Sequence, residues 1–472
     1  MKKNLMKLVL CIMILSVFLI ASDSVNAKQR RGYNIKNTFS GSIRYKIKVK
    51  KYDRDKDGYL SRKEIKKIKS LYLENLGGLS VKGISKLKHL KKIKIQTAKP
   101  AYNIKEVEKL HRLEDVYIDI EPKKKLVLDF RKSKKIKKLD IAIQNNKGNL
   151  KISRKNKIKY LSIGGIKNSA FIANKCLKAK KIHIFTNLNK GNVNLINRKY
   201  LEDVYLCKAK NLQNITVKNC VRLKKIKLNG CKSSSCTIEN NSQLKSFKMF
   251  ESKVSNLTVK SLKDLKWIEI DKAKVSNFIM DKLNDLRTIK LYSIQDLSDV
   301  NISNMSKLRK IDIDDVPQLK SLTVDNLSSL KELKCAYGSL SKLNIVGDYK
   351  LNRVEVYSNQ LKTFSYNNLK NVSYLDIHNN QIEGRFDFTL YPKLYDFDCS
   401  NNRISEIYGG PQNREIGYIN CSNNNMKLLQ FTDIEKYDGF IYYVNCKMNP
   451  YIEVYAWMED YDCDPTAKLY YK

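Results

Sequence analysis

Apolar residues recur along the chain in a fixed triplet, in which two spacers and then one spacer separate three apolar positions. The last two apolar residues lie two positions apart, which puts them on the same side of a short strand. The triplet returns every 21 to 25 residues. One such unit is too small to bury its own apolar face, so the period predicts stacked units around a continuous core. The eighteen triplets begin at Ile68, Leu90, Leu113, Ile136, Ile158, Ala179, Leu201, Leu223, Leu244, Leu265, Leu286, Leu308, Leu330, Leu351, Val372, Leu394, Ile416 and Ile441.

Many units also carry a second, shorter apolar run. Examples are Val254-Leu257-Val259 and Leu319-Leu322-Val324. The end of each run alternates between apolar and polar residues, and each run is short. Both features indicate an extended segment on the convex side of the stack rather than a full helix.

The units resemble the leucine-rich repeat family, whose pattern is L-x-x-L-x-L-x-x-N-x-L. The segment from Leu394 to Ile404 fits this pattern with Phe397 and Cys399 in place of two leucines, and residues 372–382 fit it as well. The resemblance implies a solenoid of the α/β-horseshoe class that is mostly β, with about 18 repeats over residues 68–450 and a C-terminal cap over 451–472. Parallel strands are then expected on the concave wall. The family's asparagine, which satisfies buried backbone groups at each turn, is present at Asn359, Asn380, Asn402, Asn424 and Asn449.

The first 27 residues have the composition of a secretory signal. Three lysines precede an apolar core from Leu8 to Ile20, and the small-residue site Val25-Asn26-Ala27 follows. The core is shorter than the ~20 residues of a membrane-spanning helix, although an uncleaved anchor is the alternative. We therefore expect a secreted, extracellular chain. Association with the cell wall is a further option that this prediction includes. After signal cleavage the sequence predicts no transmembrane segment.

A basic segment, residues 28–67, contains a twelve-residue motif at positions 53–64 that matches the EF-hand loop. Asp53, Asp55 and Asp57 supply carboxylates, and Gly58 permits the sharp turn. Tyr59 offers its backbone carbonyl, Ser61 holds a water, and the Glu64 carboxylate completes the coordination shell. The motif predicts Ca²⁺ as the bound ion. Phe39, Ile43 and Ile47 predict an entering helix, and a short helix is expected after the loop. The expected ligands are Asp53, Asp55, Asp57, Tyr59, Ser61 and Glu64.

Two alternatives remain for this EF-hand-like loop: an acidic turn that binds no ion, and a calcium sensor. EF-hands usually pair through loop position 8, which is Leu60, and the sequence contains no second loop. This absence favours a structural calcium cap, with Leu60 packed against the first repeat.

Charge is distributed unevenly along the chain. The formal net charge is +44, and without residues 1–27 it is +42. Residues 351–472 carry 12 basic and 16 acidic side chains, so the preceding part is strongly basic. Such a surface attracts polyanions in a salt-dependent way. An anionic cell-wall polymer is the expected polyanion for an exported chain and nucleic acid is not favoured, while a merely solvated convex face explains the charge equally well.

The positions two, four and six residues after each anchor should point outward from the concave wall. Over the seventeen units from Leu90 onward, 11 of these 51 residues are aromatic. Aromatic side chains bury large areas at binding interfaces, although strand propensity also favours them. We name the best candidate set the tyrosine–carboxylate patch. It comprises Glu355, Tyr357, Tyr374, Asp376, His378, Asp396, Asp398, Tyr418 and Tyr443.

Ten cysteines remain after the signal. Cys335, Cys399, Cys421 and Cys446 occupy the third apolar place of their triplets, which predicts buried free thiols. The positions of Cys220, Cys236 and Cys463 leave a local disulfide open.

The sequence offers no catalytic motif. No nucleophile turn, phosphate loop or His-Glu-x-x-His helix occurs, and the two histidines on the predicted concave wall, His183 and His378, are many units apart. We therefore predict a protein without enzymatic activity. The sequence favours an exported recognition or adhesion protein that binds a protein or glycan through its concave wall. The alternative is a structural cell-surface scaffold with no dedicated ligand.

Overall fold

A computed structural model describes residues 32–75, 77–185, 191–347, 350–366, 368–413, 415–432, 439–449 and 451–470. The expected signal peptide lies outside these residues. The described chain is a parallel-strand β-solenoid of about 17 turns with little helix, which confirms the predicted fold class. It divides into two compact units, Met1–Asn187 (unit 1) and Leu188–Lys472 (unit 2).

Unit 1 contains short helices and eleven described strands. The α-helices are α1 (Ile35–Thr38), α2 (Gly41–Val49), α3 (Arg62–Lys67) and α4 (Ser169–Lys175), and 3₁₀ turns lie at Ile84–Lys86, Ile104–Lys109 and Gln144–Asn146. The strands are β1 (Tyr33–Asn34), β2 (Tyr59–Leu60), β3 (Ser70–Asn75), β4 (Leu79–Ser80), β5 (Lys92–Tyr102), β6 (Asp115–Glu121), β7 (Leu126–Asp129), β8 (Lys138–Ile143), β9 (Gly148–Lys151), β10 (Tyr160–Gly164) and β11 (Lys181–Phe185).

The predicted triplets form the main sheet of unit 1. Strands β3, β5, β6, β8, β10 and β11 pair in parallel in that order. Their side chains alternate strictly: Val116 and Ile118 of β6 are buried, whereas Tyr117 between them is partly exposed. Helix α4 is an exception to the predicted extended convex segments, because Ala170, Ile172 and Ala173 bury one of its sides.

The helices before the repeats differ slightly from the prediction. Ile43 and Ile47 lie on one side of α2 and are buried, as their spacing of four requires. Phe39 is also buried, but it ends α1 instead of beginning α2. Helix α3 begins with a capping box, in which Ser61 and Glu64 satisfy each other's backbone N–H groups.

Unit 2 consists almost entirely of strands, with one described 3₁₀ turn at Phe388–Leu390. The strands are β12 (Gly191–Ile196), β13 (Asp203–Cys207), β14 (Leu212–Lys218), β15 (Lys225–Asn229), β16 (Lys232–Glu239), β17 (Ser246–Phe250), β18 (Lys253–Lys260), β19 (Trp267–Asp271), β20 (Lys274–Asp281), β21 (Thr288–Tyr292), β22 (Asp299–Ser303), β23 (Lys310–Val316), β24 (Ser321–Asp325), β25 (Glu332–Gly338), β26 (Lys342–Val346), β27 (Arg353–Glu355), β28 (Tyr374–Asp376), β29 (Glu383–Asp387), β30 (Asp396–Asp398), β31 (Arg403–Gly409), β32 (Glu415–Asn420), β33 (Leu428–Phe431), β34 (Phe440–Asn445), β35 (Glu453–Tyr455), β36 (Met458–Asp462) and β37 (Lys468–Tyr470).

The strands of unit 2 form one long parallel sheet and three shorter ones. The long sheet, which we call the ladder, contains β13, β15, β17, β19, β21, β23, β25, β27, β28, β30, β32, β34 and β36. The second apolar runs form the shorter sheets β12–β14–β16–β18–β20, β22–β24–β26 and β29–β31–β33–β35–β37. The predicted extended convex segments are thus present in most turns of unit 2, but the described residues between β27 and β28 contain no convex strand. Residues 451–470, predicted as a cap, add β35, β36 and β37 to two of these sheets.

The predicted asparagine ladder is present at all five positions. In Asn402, the side-chain Nδ2 donates to the carbonyl oxygens of Ile377 at 3.0 Å, Cys399 at 3.0 Å and Ser400 at 3.3 Å. Its Oδ1 accepts from the backbone N of Ile382 at 2.9 Å. One buried amide therefore satisfies four backbone groups that the turn would otherwise leave without partners. Asn359, Asn380, Asn424 and Asn449 bond in similar ways.

Smaller side chains take over this role earlier in unit 2. At the equivalent turn positions, the Cys231 thiol donates to the carbonyl of Leu206 and the Ser252 hydroxyl donates to the carbonyl of Phe250. The Ser252 hydroxyl also accepts from the backbone N of Cys231 at 3.0 Å. Each satisfies fewer backbone groups than an asparagine does.

One cysteine prediction is wrong. Cys446 is not a free thiol but forms a disulfide with Cys463. The last ladder turn brings the two residues together because β36 pairs with β34. Cys335, Cys399 and Cys421 are buried and free, as predicted.

Among the described helices, none is both long enough and apolar enough to cross a membrane.

We predict that Asn402→Ala lowers the free energy of unfolding by about 3 kcal/mol, because each buried backbone group left without a partner costs about 1–3 kcal/mol. Urea unfolding curves measure the loss. Asn352→Ala is the matched control, since Asn352 is exposed, and it should change stability by less than about 0.5 kcal/mol. Equal effects of the two substitutions would contradict the role assigned to the asparagine ladder.

We predict that reducing the Cys446–Cys463 disulfide loosens the last turn of unit 2. Closing a loop of this length, 17 residues apart in sequence, stabilises by roughly 3 kcal/mol in the chain-entropy account. The Cys446→Ser/Cys463→Ser variant should therefore show faster amide hydrogen exchange in β35, β36 and β37, while β15 and β17 stay unchanged. Alkylation of both cysteines in the unreduced wild-type protein would contradict the bond.

Candidate functional site

All nine residues of the tyrosine–carboxylate patch lie on five adjacent turns of the ladder. Strands β27, β28, β30, β32 and β34 pair in register, so outward side chains form columns across them. The first column contains Arg353, Tyr374, Asp396, Tyr418 and Tyr443. The second contains Glu355, Asp376, Asp398, Asn420 and Asn445. Tyr357 and His378 follow β27 and β28 and lie in a third column.

Aromatic rings dominate the first column. The rings of Tyr418 and Tyr443 stack at 5.5 Å between centroids with an interplanar angle of 1°. The Arg353 guanidinium carbon lies 3.6 Å from the centroid of the Tyr374 ring, and its Nε donates to Glu355. Arg353 belongs to this surface but was missed from the sequence, although it occupies an outward position of its repeat.

Asp396 occupies the first column between Tyr374 and Tyr418. Burial raises the pKa of its carboxyl group, and the positive charge of Arg353 opposes that rise. Within the described chain, no side chain or backbone group donates a hydrogen bond to this carboxylate. Asp396 is thus a half-buried carboxylate that lies between two tyrosines and can still accept hydrogen bonds from a ligand.

Asp376 and His378 form a tight pair. The imidazole Nδ1 donates to Asp376 Oδ1 at 2.6 Å, and this hydrogen bond is the main reason that the pKa of His378 is raised. The His378 ring also stacks on Tyr357, with centroids 4.6 Å apart and planes inclined by 10°. Both contacts fix the orientation of the imidazole.

Asp398 is held by its own strand and by the next one. Its Oδ1 accepts from the backbone N of Ser400 at 2.9 Å and from the Ser400 hydroxyl at 2.7 Å. Its Oδ2 accepts from Asn420 Nδ2 at 3.0 Å. The carboxylate therefore points in a defined direction on the ladder.

Several acidic residues on earlier ladder turns have basic partners on neighbouring strands. Lys248 lies 2.6 Å from Glu269, and Lys310 lies 2.7 Å from Glu332. In β28, β30, β32 and β34, by contrast, the first two columns contain three aspartates and no lysine or arginine, and Lys447 is the third-column residue of the β34 turn. This part of the ladder is locally acidic although the chain as a whole carries a net charge of +44.

The structure gathers three of the predicted calcium ligands in unit 1. One carboxylate oxygen from each of Asp53, Asp55 and Asp57 lies within 4.8 Å of the others. Asp53 Oδ2 accepts from the backbone N of Gly58 at 3.2 Å, and Gly58 has a φ of 81°, which favours glycine. Asp53 Oδ1 is buried and has no hydrogen-bond partner.

In the remaining part of the EF-hand-like loop, the Glu64 carboxylate accepts hydrogen bonds from backbone N–H groups. Glu64 Oε1 accepts from the backbone N of Arg54 at 2.7 Å, and Oε2 accepts from the backbone N of Ser61 at 2.9 Å. Ser61, predicted to hold a water, donates its hydroxyl to Glu64 Oε2. Burial raises the pKa of Asp53, and the carboxylates of Asp55, Asp57 and Glu64 raise it further. A cation would relieve this repulsion.

Leu60 has a partner that the sequence did not reveal. Strand β2, which contains Leu60, pairs antiparallel with β1, so that Tyr33 lies opposite Leu60. The Leu60 side chain is fully buried. The segment before α1 thus takes the place that a second EF-hand loop usually occupies. Two-residue strands have no periodic signal that could have predicted this pairing.

Comparison with known proteins gives structural similarity only. Neither a scan against protein families nor a search of curated sequences finds a match. An internalin from Listeria monocytogenes is 13% identical over 85% of this chain and 94% of its own, with a TM-score of 0.24. The functional domain of InlJ from the same organism, which includes a cysteine ladder, is 13% identical over 83% and 82%, with a TM-score of 0.37. A leucine-rich repeat protein from Leptospira interrogans is 16% identical over 72% and 86%, with a TM-score of 0.33. At these values, the similarity carries no inference about ligands.

Proposed function

We propose that this chain is a non-catalytic recognition protein that binds a protein or glycan through the tyrosine–carboxylate patch. The main support is the composition of the first two columns in β28, β30, β32 and β34, where tyrosines and aspartates share a surface without lysine or arginine, and His378 lies beside them. Tyrosines provide large contact areas at low entropic cost. Carboxylates favour a ligand with positive or hydrogen-bond-donating groups, and they disfavour anionic competitors.

Asp396 supports this proposal most directly. A half-buried carboxylate without donors has lost part of its hydration and gained no hydrogen bonds in return. A ligand that donates to it, from between the rings of Tyr374 and Tyr418, would recover that cost. An ammonium or guanidinium group fits best, because aromatic faces attract cations as well.

We predict that the triple variant Tyr374→Ala, Asp396→Asn, Tyr418→Ala loses ligand affinity by at least about tenfold, since central aromatic residues commonly contribute 2 kcal/mol or more to binding. The full wild-type chain is applied to a glycan array and to an extract of surface proteins. Each captured species is identified, and its Kd is measured for both proteins.

The matched control replaces residues of the same kinds on the sheet that contains β31 and β35: Tyr408→Ala, Glu406→Gln and Tyr455→Ala. This control should bind like the wild-type chain. Equal affinity of the patch variant and the wild-type chain for every captured species would refute the proposal. Failure of the wild-type chain to capture any species would favour the structural scaffold.

We also propose that the EF-hand-like loop binds Ca²⁺ as a structural cap. Asp53, Asp55, Asp57 and Glu64 supply hard oxygen ligands, and Tyr59 and Ser61 occupy the remaining loop positions. The buried, unpartnered Asp53 Oδ1 supports this assignment, because it is an oxygen that a cation would satisfy. The pairing of β2 with β1 favours a cap over a sensor, because Leu60 is already buried and no second loop is needed.

We predict that Ca²⁺ stabilises α2, α3 and the loop between them. Ligand binding to the folded state alone contributes about 1.4 kcal/mol at a concentration ten times the Kd. Amide hydrogen exchange in these helices should slow by roughly tenfold when millimolar Ca²⁺ replaces EDTA. Asp53→Asn should abolish the effect, whereas Asp115→Asn, a control on β6 of the same unit, should preserve it. Exchange that is insensitive to Ca²⁺ would exclude the cap.

A further inference from the structure

Three side chains on adjacent turns of the ladder bring metal-ligating groups together. One ligand atom from each of Asp376, His378 and Asp398 lies within 4.8 Å of the others. Asp376 and Asp398 are register partners in β28 and β30, and His378 follows Asp376 by two residues on the same side. The backbone hydrogen bonds of the ladder therefore set the spacing of these groups.

Asp376 has an oxygen that lacks a partner. The residue is only 8% exposed, and its Oδ1 accepts from both the backbone N and the Nδ1 of His378. In the part of the chain that the structure describes, no donor reaches its Oδ2. The Asp376 side chain is 11% exposed, so its Oδ2 can be reached from outside and can ligate an ion without breaking a hydrogen bond within the protein. A cation at this position would satisfy the second oxygen.

The neighbouring residues hold the other two ligands in place. Ser400 and Asn420 donate to Asp398, and Tyr357 stacks on His378. Such outer contacts are typical of metal sites, where they orient the ligands before the ion arrives. Because these residues lie on or next to paired strands, positioning them around an ion costs less conformational entropy than it would in a mobile loop.

We propose that Asp376, His378 and Asp398 bind one divalent transition-metal ion of the Zn²⁺ or Mn²⁺ type on the ladder. The imidazole nitrogen favours transition metals, whereas Ca²⁺ and Mg²⁺ prefer oxygen ligands alone. Three protein ligands leave at least one coordination position for water or for a donor group of a bound partner. The site is independent of the EF-hand-like loop, and it goes beyond the proposed recognition function.

Zinc titration tests this site in the full chain. A background variant carries Asp53→Asn and Asp55→Asn to disable the EF-hand-like loop, and Cys207→Ser to remove the one described free thiol that is not buried. After EDTA treatment and dialysis, isothermal titration calorimetry with ZnCl₂ should give one site per chain. His378→Gln and Asp398→Asn should each weaken the binding by at least about tenfold.

Two matched controls separate ligation from general charge effects. Asp271→Asn removes the same charge from another ladder strand, and His183→Gln removes a histidine from unit 1; both should leave Zn²⁺ affinity within about twofold. The proposal is overturned if His378→Gln and Asp398→Asn bind Zn²⁺ as tightly as the background variant, or if Asp271→Asn weakens binding as much as Asp398→Asn.

A second measurement does not depend on the folding of the ligand variants. Mn²⁺ added to the background variant should broaden the imidazole NMR signals of His378 before those of His183, His89 and His111, because paramagnetic relaxation falls steeply with distance. Zn²⁺ should reverse the broadening by competition. Broadening that spares His378, or that Zn²⁺ does not reverse, overturns the proposal.

Discussion

In-register stacking of short parallel strands is the constraint on which this structure depends. Each turn buries two or three apolar side chains between its neighbours, as Val354 and Val356 do, and none of these turns could bury them alone. The same stacking also places polar turn backbone out of reach of water. Asn380 and Asn402 show how that cost is offset, since each side chain bonds to the turn before it and to its own.

The surface chemistry follows from this register. Outward residues separated by one repeat become neighbours across the ladder, so that Tyr374, Asp396 and Tyr418 meet although they are 44 residues apart from first to last. A column adds one side chain per turn at a spacing of about 4.8 Å. Small changes in sequence therefore change the chemistry of a surface without disturbing the core beneath it. The ladder changes in this way from paired charges near Glu269 to a half-buried carboxylate without a hydrogen-bond donor at Asp396.

The repeats could be predicted from the sequence because burial and turn chemistry leave a signal at every period. The triplets located the ladder strands, and Asn359 to Asn449 fixed the register of the last units. Contacts outside the period had no such signal. Helix α4, the pairing of β1 with Leu60, and the disulfide of Cys446 lie at interruptions or ends of the repeat. The sequence also placed Asp376 and His378 on one surface but could not show their hydrogen bond, which depends on side-chain orientation.

Disulfide trapping tests the register of the ladder most directly. In a variant with Tyr374→Cys and Asp396→Cys, the two introduced thiols are register partners, and mild oxidation should link them rapidly because neighbouring strands lie about 5 Å apart. In the variant with Tyr374→Cys and Asp398→Cys, the diagonal separation of about 8 Å should prevent the bond. Preferential linkage of the second pair would show that the strands are shifted, and the columns that form the patch would not exist.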